Sequence, residues 1–145
     1  MRTWLYNSSV GRLDSVGFLI LRLVMGVAFV LHGWPKIQDP FGWMGPEAAM
    51  PGILQALAAL AEFGGGFALI AGLLTRLASL GIACVMVVAI GVVHVSRGDP
   101  FVGRPGEPSY ELAAVYLACA IVFLLSGPGR LSLDALFFRK QADPL

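Results

Sequence analysis

Arg22 and Glu62 are the residues that fit their surroundings least. Arg22 lies inside the apolar run from Val16 to Lys36, and Glu62 lies in the middle of a second apolar run. A guanidinium keeps its proton at any accessible pH. Within hydrocarbon it costs about 2.5 to 17 kcal/mol unless it snorkels to an interface or meets an acceptor. If the two runs are helices beginning near Ser15 and Ile53, a rise of about 1.5 Å per residue puts Arg22 roughly 10 Å from one membrane face and Glu62 roughly 16 Å from the same face. That difference is about one helical turn. The spacing predicts an Arg22–Glu62 ion pair inside a bundle. Such a pair can simply fix helix packing, because removing one partner of a buried pair is worse than never forming it.

A second constellation lies nearer the opposite face. His32, His94 and Glu111 fall at similar depth, with Tyr110 beside them and Trp34 close. Two imidazoles, a carboxylate and a phenol can relay protons, hydrogen-bond a quinone carbonyl or bind a metal. No two of them share a helix at i, i+4 spacing, so the pattern gives no support for a metal site. Both histidines sit near one surface, which leaves room for one haem at most. The bland alternative is that each side chain is wetted by its own loop. Cys84 and Cys119 lie in apolar runs without CxxC spacing, which reads as packing rather than a disulfide framework.

The elements that must position these residues follow from composition. The chain has 145 residues, 57% hydrophobic and 13% charged, with mean hydropathy +0.79. Soluble domains carry about twice that charged share, so an all-α membrane domain is expected over 1–145. A net charge of +1 leaves no nucleic-acid footprint. Four helices are predicted, over about 15–33, 53–74, 77–95 and 110–125. Pro35 ends the first. Gly26 and Gly33 share a face with Arg22, Met25 and Phe29, which suits close approach of a neighbouring helix. Gly64, Gly65 and Gly66 mark close packing or a kink in the second. These glycine-lined faces are expected to offer a groove to another chain. Thr75-Arg76 is a tight turn. Two polar loops, 38–52 and 96–109, carry three prolines each, and the first is expected to lie partly on the membrane surface. Trp4, Leu5 and Tyr6 are expected to touch the interface. The tail from Arg130 should form a short amphipathic interfacial segment. No cleavable signal peptide is visible.

Arg2, Arg12, Arg76, Arg130, Arg139 and Lys140 fall on one side of this layout, against Lys36, Arg97 and Arg104 on the other. The bias predicts both termini in the cytoplasm.

Three stretches resemble the DoxX family of bacterial membrane proteins: LRLVMGVAFVLHGWPKI, AEFGGGFALIAGLLTRLASL and YELAAVYLACAIVFLLSGPGRLSLD. The likeness runs from about Ser15 to Asp134. It includes a leucine-arginine opening with a late His-Gly and Lys, a second-helix Glu before Gly-Leu-Leu-Thr-Arg, and a closing Gly-x-Gly-x-x-Ser-Leu-Asp. The resemblance implies a four-helix transmembrane bundle in the bacterial inner membrane, similar to the small subunit of thiosulfate:quinone oxidoreductases. It also implies association with redox enzymes of oxidative stress or sulfur. Arg22, Glu62 and Glu111 fall in its characteristic segments, although the family brings no agreed catalytic residue.

Two functions are therefore expected. One is a membrane subunit of an oxidoreductase assembly that interacts with quinone. The other is a non-catalytic scaffold that stabilises a larger membrane complex. Partners are the bilayer and either copies of this chain or other membrane subunits. A transporter fits less well, because four helices give little room and no two-fold repeat is visible.

Overall fold

A computed structural model describes residues 12–138. Trp4, Leu5, Tyr6 and the segment beyond Phe138 lie outside the described residues. The fold is all-helical. We label the helices α1 (Arg12–Gln38), α2 (Gly52–Ala71), α3 (Thr75–Val95), α4 (Glu111–Ser126) and α5 (Leu133–Phe138). The last turns of α3, Ala89–Val95, are wound as a π-helix. By length and apolarity α1, α2 and α3 can each cross a membrane, and α4 is a shorter apolar helix. The backbone bonds within each helix, the arrangement a bilayer demands.

α1 does not stop at Pro35. It runs on to Gln38, with the proline inside its last turns. The missing N–H of Pro35 frees one carbonyl near the helix end, where few bonds remain to be lost. The extra turn carries Lys36 along the same face as Gly26, Phe29 and Gly33.

Glycine sets how α1 meets α2. A Cβ on Gly33 would stand 2.5 Å from the Phe63 nitrogen, and one on Gly66 would stand 2.7 Å from the Val30 nitrogen. A Cβ on Gly26 would meet Ile70 at 2.7 Å. The two backbones therefore touch over most of their length, as small residues allow in membranes. Gly26, Gly33 and Gly66 are thus used within the chain, whereas Gly64 and Gly65 line the hollow beside α2 and α3. A core of Met25, Phe29, Leu69, Ile82, Met86, Ala120 and Phe123 joins the four long helices.

The chain ends of the bundle are tied by polar contacts. α2 stops at Gly72 in the left-handed conformation (φ 67°), with the N–H groups of Gly72 and Leu73 returning to Leu69 and Ala68. Asp134 then accepts hydrogen bonds from the N–H groups of Leu74 (2.7 Å) and Thr75 (2.9 Å), which start α3. Its own N–H donates to Gly72 O at 2.8 Å. Ser132 Oγ accepts from Ala135 N at 3.1 Å and so caps α5. Arg130 N donates to Ser15 Oγ at 3.0 Å, and Arg76 Nη2 donates to Leu125 O at 3.0 Å. The C-terminal helix leaves Leu136 and Phe137 exposed. It is also a clamp, because Asp134 and Ala135 are buried.

Candidate functional site

Glu62 and Arg22 do not pair with each other. Lys36 Nζ donates to Glu62 Oε1 at 2.6 Å. Arg22 Nη2 donates to the Leu131 carbonyl, and Asp134 is the carboxylate whose charge acts on Arg22. The reason is register. Ile70, Gly66 and Phe63 face Gly26, Val30 and Gly33 in turn. Continuing that antiparallel register sets Arg22 opposite Leu74 and Lys36 opposite Leu60, within a turn of Glu62. Arg22 therefore misses Glu62 by some 12 residues along α2, about 18 Å. Its guanidinium instead fills the notch at Gly72, where a Cβ would overlap Nη1.

The outer constellation also takes separate partners. His94 Nδ1 lies 2.8 Å from Asp99 Oδ2, and Asp99 N donates to His94 O at 3.0 Å. His32 is exposed and packs edge-on against Tyr116, ring centroids 6.3 Å apart. Tyr110 packs on Phe101 at 5.4 Å, and Glu111 is exposed. Among the described residues, no three His, Cys, Asp or Glu side chains come together in a way that would hold a metal ion.

The structure brings together a different set. A cavity of about 960 Å³ runs along α2 and α3 under the loop that follows α1. Its walls are nearly all apolar: small residues such as Ala61, Gly65, Ala78 and Gly81 form part of them and leucines, valines and methionines much of the rest, with Cys84 on α3. Lys36, Glu62, Trp43 and Arg97 supply its polar surface. None of His32, His94, Tyr110 or Glu111 lines it. The Glu62 side chain is 3% exposed and that of Lys36 is 22% exposed. Glu62 Oε2 has no hydrogen-bond donor.

The loop after α1 is stitched over this site. Trp43 Nε1 donates to Gln55 O at 3.0 Å. The buried Gln55 side chain accepts from Met44 N at 3.1 Å and donates to Met50 O at 2.9 Å. Gln55 thus satisfies loop backbone that water would otherwise have to reach. The Trp43 ring is held 4.6 Å from Lys36 Nζ, a cation–π contact. Lys36 therefore sits between an aromatic face and a carboxylate. An apolar hollow with few fixed polar groups is the form of a small-molecule site.

Sequence reasoning found Glu62 but missed Lys36, Trp43 and Gln55. The signal was available in the helical phase: Lys36 is two heptad-like steps from Arg22 and one from Phe29, so it had to share the face that meets α2. Stopping α1 at Pro35 hid it.

Residues 17–95 match the DoxX family. The chain belongs to that family. It is 31% identical to the inner membrane protein YqjF of Escherichia coli over 89% of this chain and 98% of that protein. An uncharacterized protein of Haemophilus influenzae is 34% identical over 83% of this chain and 90% of its own length. A Bacillus subtilis protein named "Putative oxidoreductase CatD" is 29% identical over 88% of this chain and 92% of its own. No solved structure matches. This DoxX protein is therefore a membrane protein, and its matched segment carries α1, α2 and α3, the three helices around the Lys36–Glu62 site.

Proposed function

We propose that this DoxX protein is a bacterial inner-membrane subunit of a redox assembly, and that the α2–α3 groove holds a quinone-class molecule. One observation carries the reading: an apolar groove of about 960 Å³ has an ammonium–carboxylate pair in its wall. A lipid-soluble ring with polar oxygens and an apolar tail matches both halves. The ammonium donates to a ring oxygen, and the small residues of α2 and α3 accept the tail from the bilayer. The relative named as an oxidoreductase supports the redox class. The assignment to the inner membrane follows the relative named for that membrane. The six-to-three excess of Lys and Arg at the chain-end side supports a cytoplasmic location for both termini. The electron partner is a further subunit docked on this one.

Cys84 gives the test, because it lines the groove. The assay uses the purified protein with Cys119→Ala and follows maleimide labelling of Cys84. The ligand is a benzoquinone bearing three methyls and a decyl chain, whose fully substituted ring offers thiols no open carbon. Labelling should slow at least fivefold at saturation, while decane at equal concentration has no such effect. A pure scaffold predicts equal rates with and without the quinone or its hydroquinone, and that result would remove the proposal.

A further inference from the structure

The Glu62 carboxylate is built asymmetrically. Oε1 takes the Lys36 ammonium at 2.6 Å, and Oε2 is buried with no donor at all. A buried acceptor left unpaired is a standing penalty that a ligand can relieve. What relieves it must bring a hydrogen to donate. A quinone carbonyl cannot, since both of its oxygens only accept. A hydroquinone can, since each of its oxygens carries a proton.

Resting on the reading of the groove as a quinone-class site, we propose that it selects the reduced, hydroxyl-bearing form. One ligand O–H donates to Glu62 Oε2. Lys36 is the more exposed member of the pair and has a flexible stem. It shifts aside to admit the hydroxyl and donates to the oxygen's lone pair. The Trp43 face, 4.6 Å from the ammonium, keeps the cation in place while it does so. The loop that carries Trp43 is pinned by Gln55 on the outer side, so the ligand arrives from the bilayer, between α2 and α3. The selectivity has a known physical basis. A site built to hydrogen-bond a hydroxyl rejects an analogue lacking it, because the site's buried group is then left unpaired.

Three probes of one size separate the outcomes: the decyl-trimethylbenzoquinone, its hydroquinone kept under anaerobic reductant, and the dimethyl ether of that hydroquinone. Protection of Cys84 in the Cys119→Ala protein gives a dissociation constant for each. The hydroquinone should bind at least tenfold tighter than both others. Glu62→Gln keeps the size of the side chain and offers an amide that can donate. It should shrink the ratio of hydroquinone to quinone binding to threefold or less, chiefly by improving quinone binding. Equal binding of all three probes to the wild-type chain overturns the hydroxyl selectivity and leaves quinone-class binding standing. No protection by any of them overturns both. The three-probe comparison needs no variant at Glu62, so it decides the question even if Glu62→Gln fails to fold.

Discussion

Removing the Asp134 carboxylate should unlock the chain-end side of the bundle. Asp134 is 1% exposed and Thr75 is 0% exposed, so water cannot replace the carboxylate without opening the structure. Asp134→Ala orphans the buried N–H of Thr75 and the part-buried N–H of Leu74. An orphaned buried donor costs about 1–3 kcal/mol and a part-buried one no more than that, so the pair together cost at most about 6 kcal/mol. The same change removes the carboxylate whose charge acts on Arg22, which pushes the loss toward the upper end. Asp134→Asn keeps one side-chain oxygen as acceptor, so it should lose roughly half as much, about 1–3 kcal/mol. The assay is equilibrium unfolding of the purified protein, with rising sodium dodecyl sulfate in mixed micelles, followed by far-ultraviolet circular dichroism. If Asp134→Ala unfolds within about 0.5 kcal/mol of wild type, the two N–H groups have other acceptors and the clamp is not what starts α3. That outcome would also strip the closing Gly-x-Gly-x-x-Ser-Leu-Asp of its role in joining α5 to α3.

Lys36→Met should destabilise by about 3–5 kcal/mol, because it strands Glu62. The double change Lys36→Met, Glu62→Met should recover most of that loss in the same unfolding assay, and a double variant as unstable as the single one would contradict the pairing. Gly33→Ala places a methyl 2.5 Å from the Phe63 backbone nitrogen. It should separate α1 from α2 and cost about 1–3 kcal/mol as overpacking, whereas Gly17→Ala, with nothing within 4 Å of the added carbon, should change unfolding by less than about 0.5 kcal/mol. Alkaline phosphatase fused at the C-terminus should be inactive and green fluorescent protein fused there should be bright, and the reverse pattern would refute cytoplasmic termini.

The number and class of helices were readable because apolar runs of bilayer length separated by proline-rich loops leave few other solutions. The closing motif was readable as a pattern but not as a device. Its Ser132 acts on a local N–H group and its Asp134 on two N–H groups some 60 residues away, and nothing in spacing announces the distant partners. The polar pairing was misread for a geometric reason. Depth counted from assumed helix ends put Arg22 and Glu62 within a turn of each other. The actual register is fixed by Gly26, Gly33 and Gly66, which bring α1 and α2 together at particular residues. An error of a few residues at each assumed end, added to an α1 that continues through Pro35, was enough to replace one cation by another. The outer constellation takes separate partners, since His32 packs against Tyr116 on α4 while His94 is held by Asp99 on its own loop.

Among the buried polar atoms of the described residues that lack a partner, those of Arg22 and Glu62 differ in the space beside them. Arg22 Nε and Nη1 have no acceptor, yet the guanidinium is packed into the Gly72 notch, where even a methyl does not fit. Nothing of ligand size can reach those nitrogens from that side, and the arginine is held by the Leu131 carbonyl and the charge of Asp134. Glu62 Oε2 is just as unpaired, but its residue stands in the wall of a groove of about 960 Å³. An orphan atom with no room beside it marks a packing constraint. An orphan atom on a residue that lines open apolar volume, reached when the flexible Lys36 stem moves aside, marks a place where a partner molecule gains a hydrogen bond that the fold alone does not supply. The chain-end pole is therefore the part that folds the protein, and the Lys36–Glu62 pole is where substitutions should alter ligand binding.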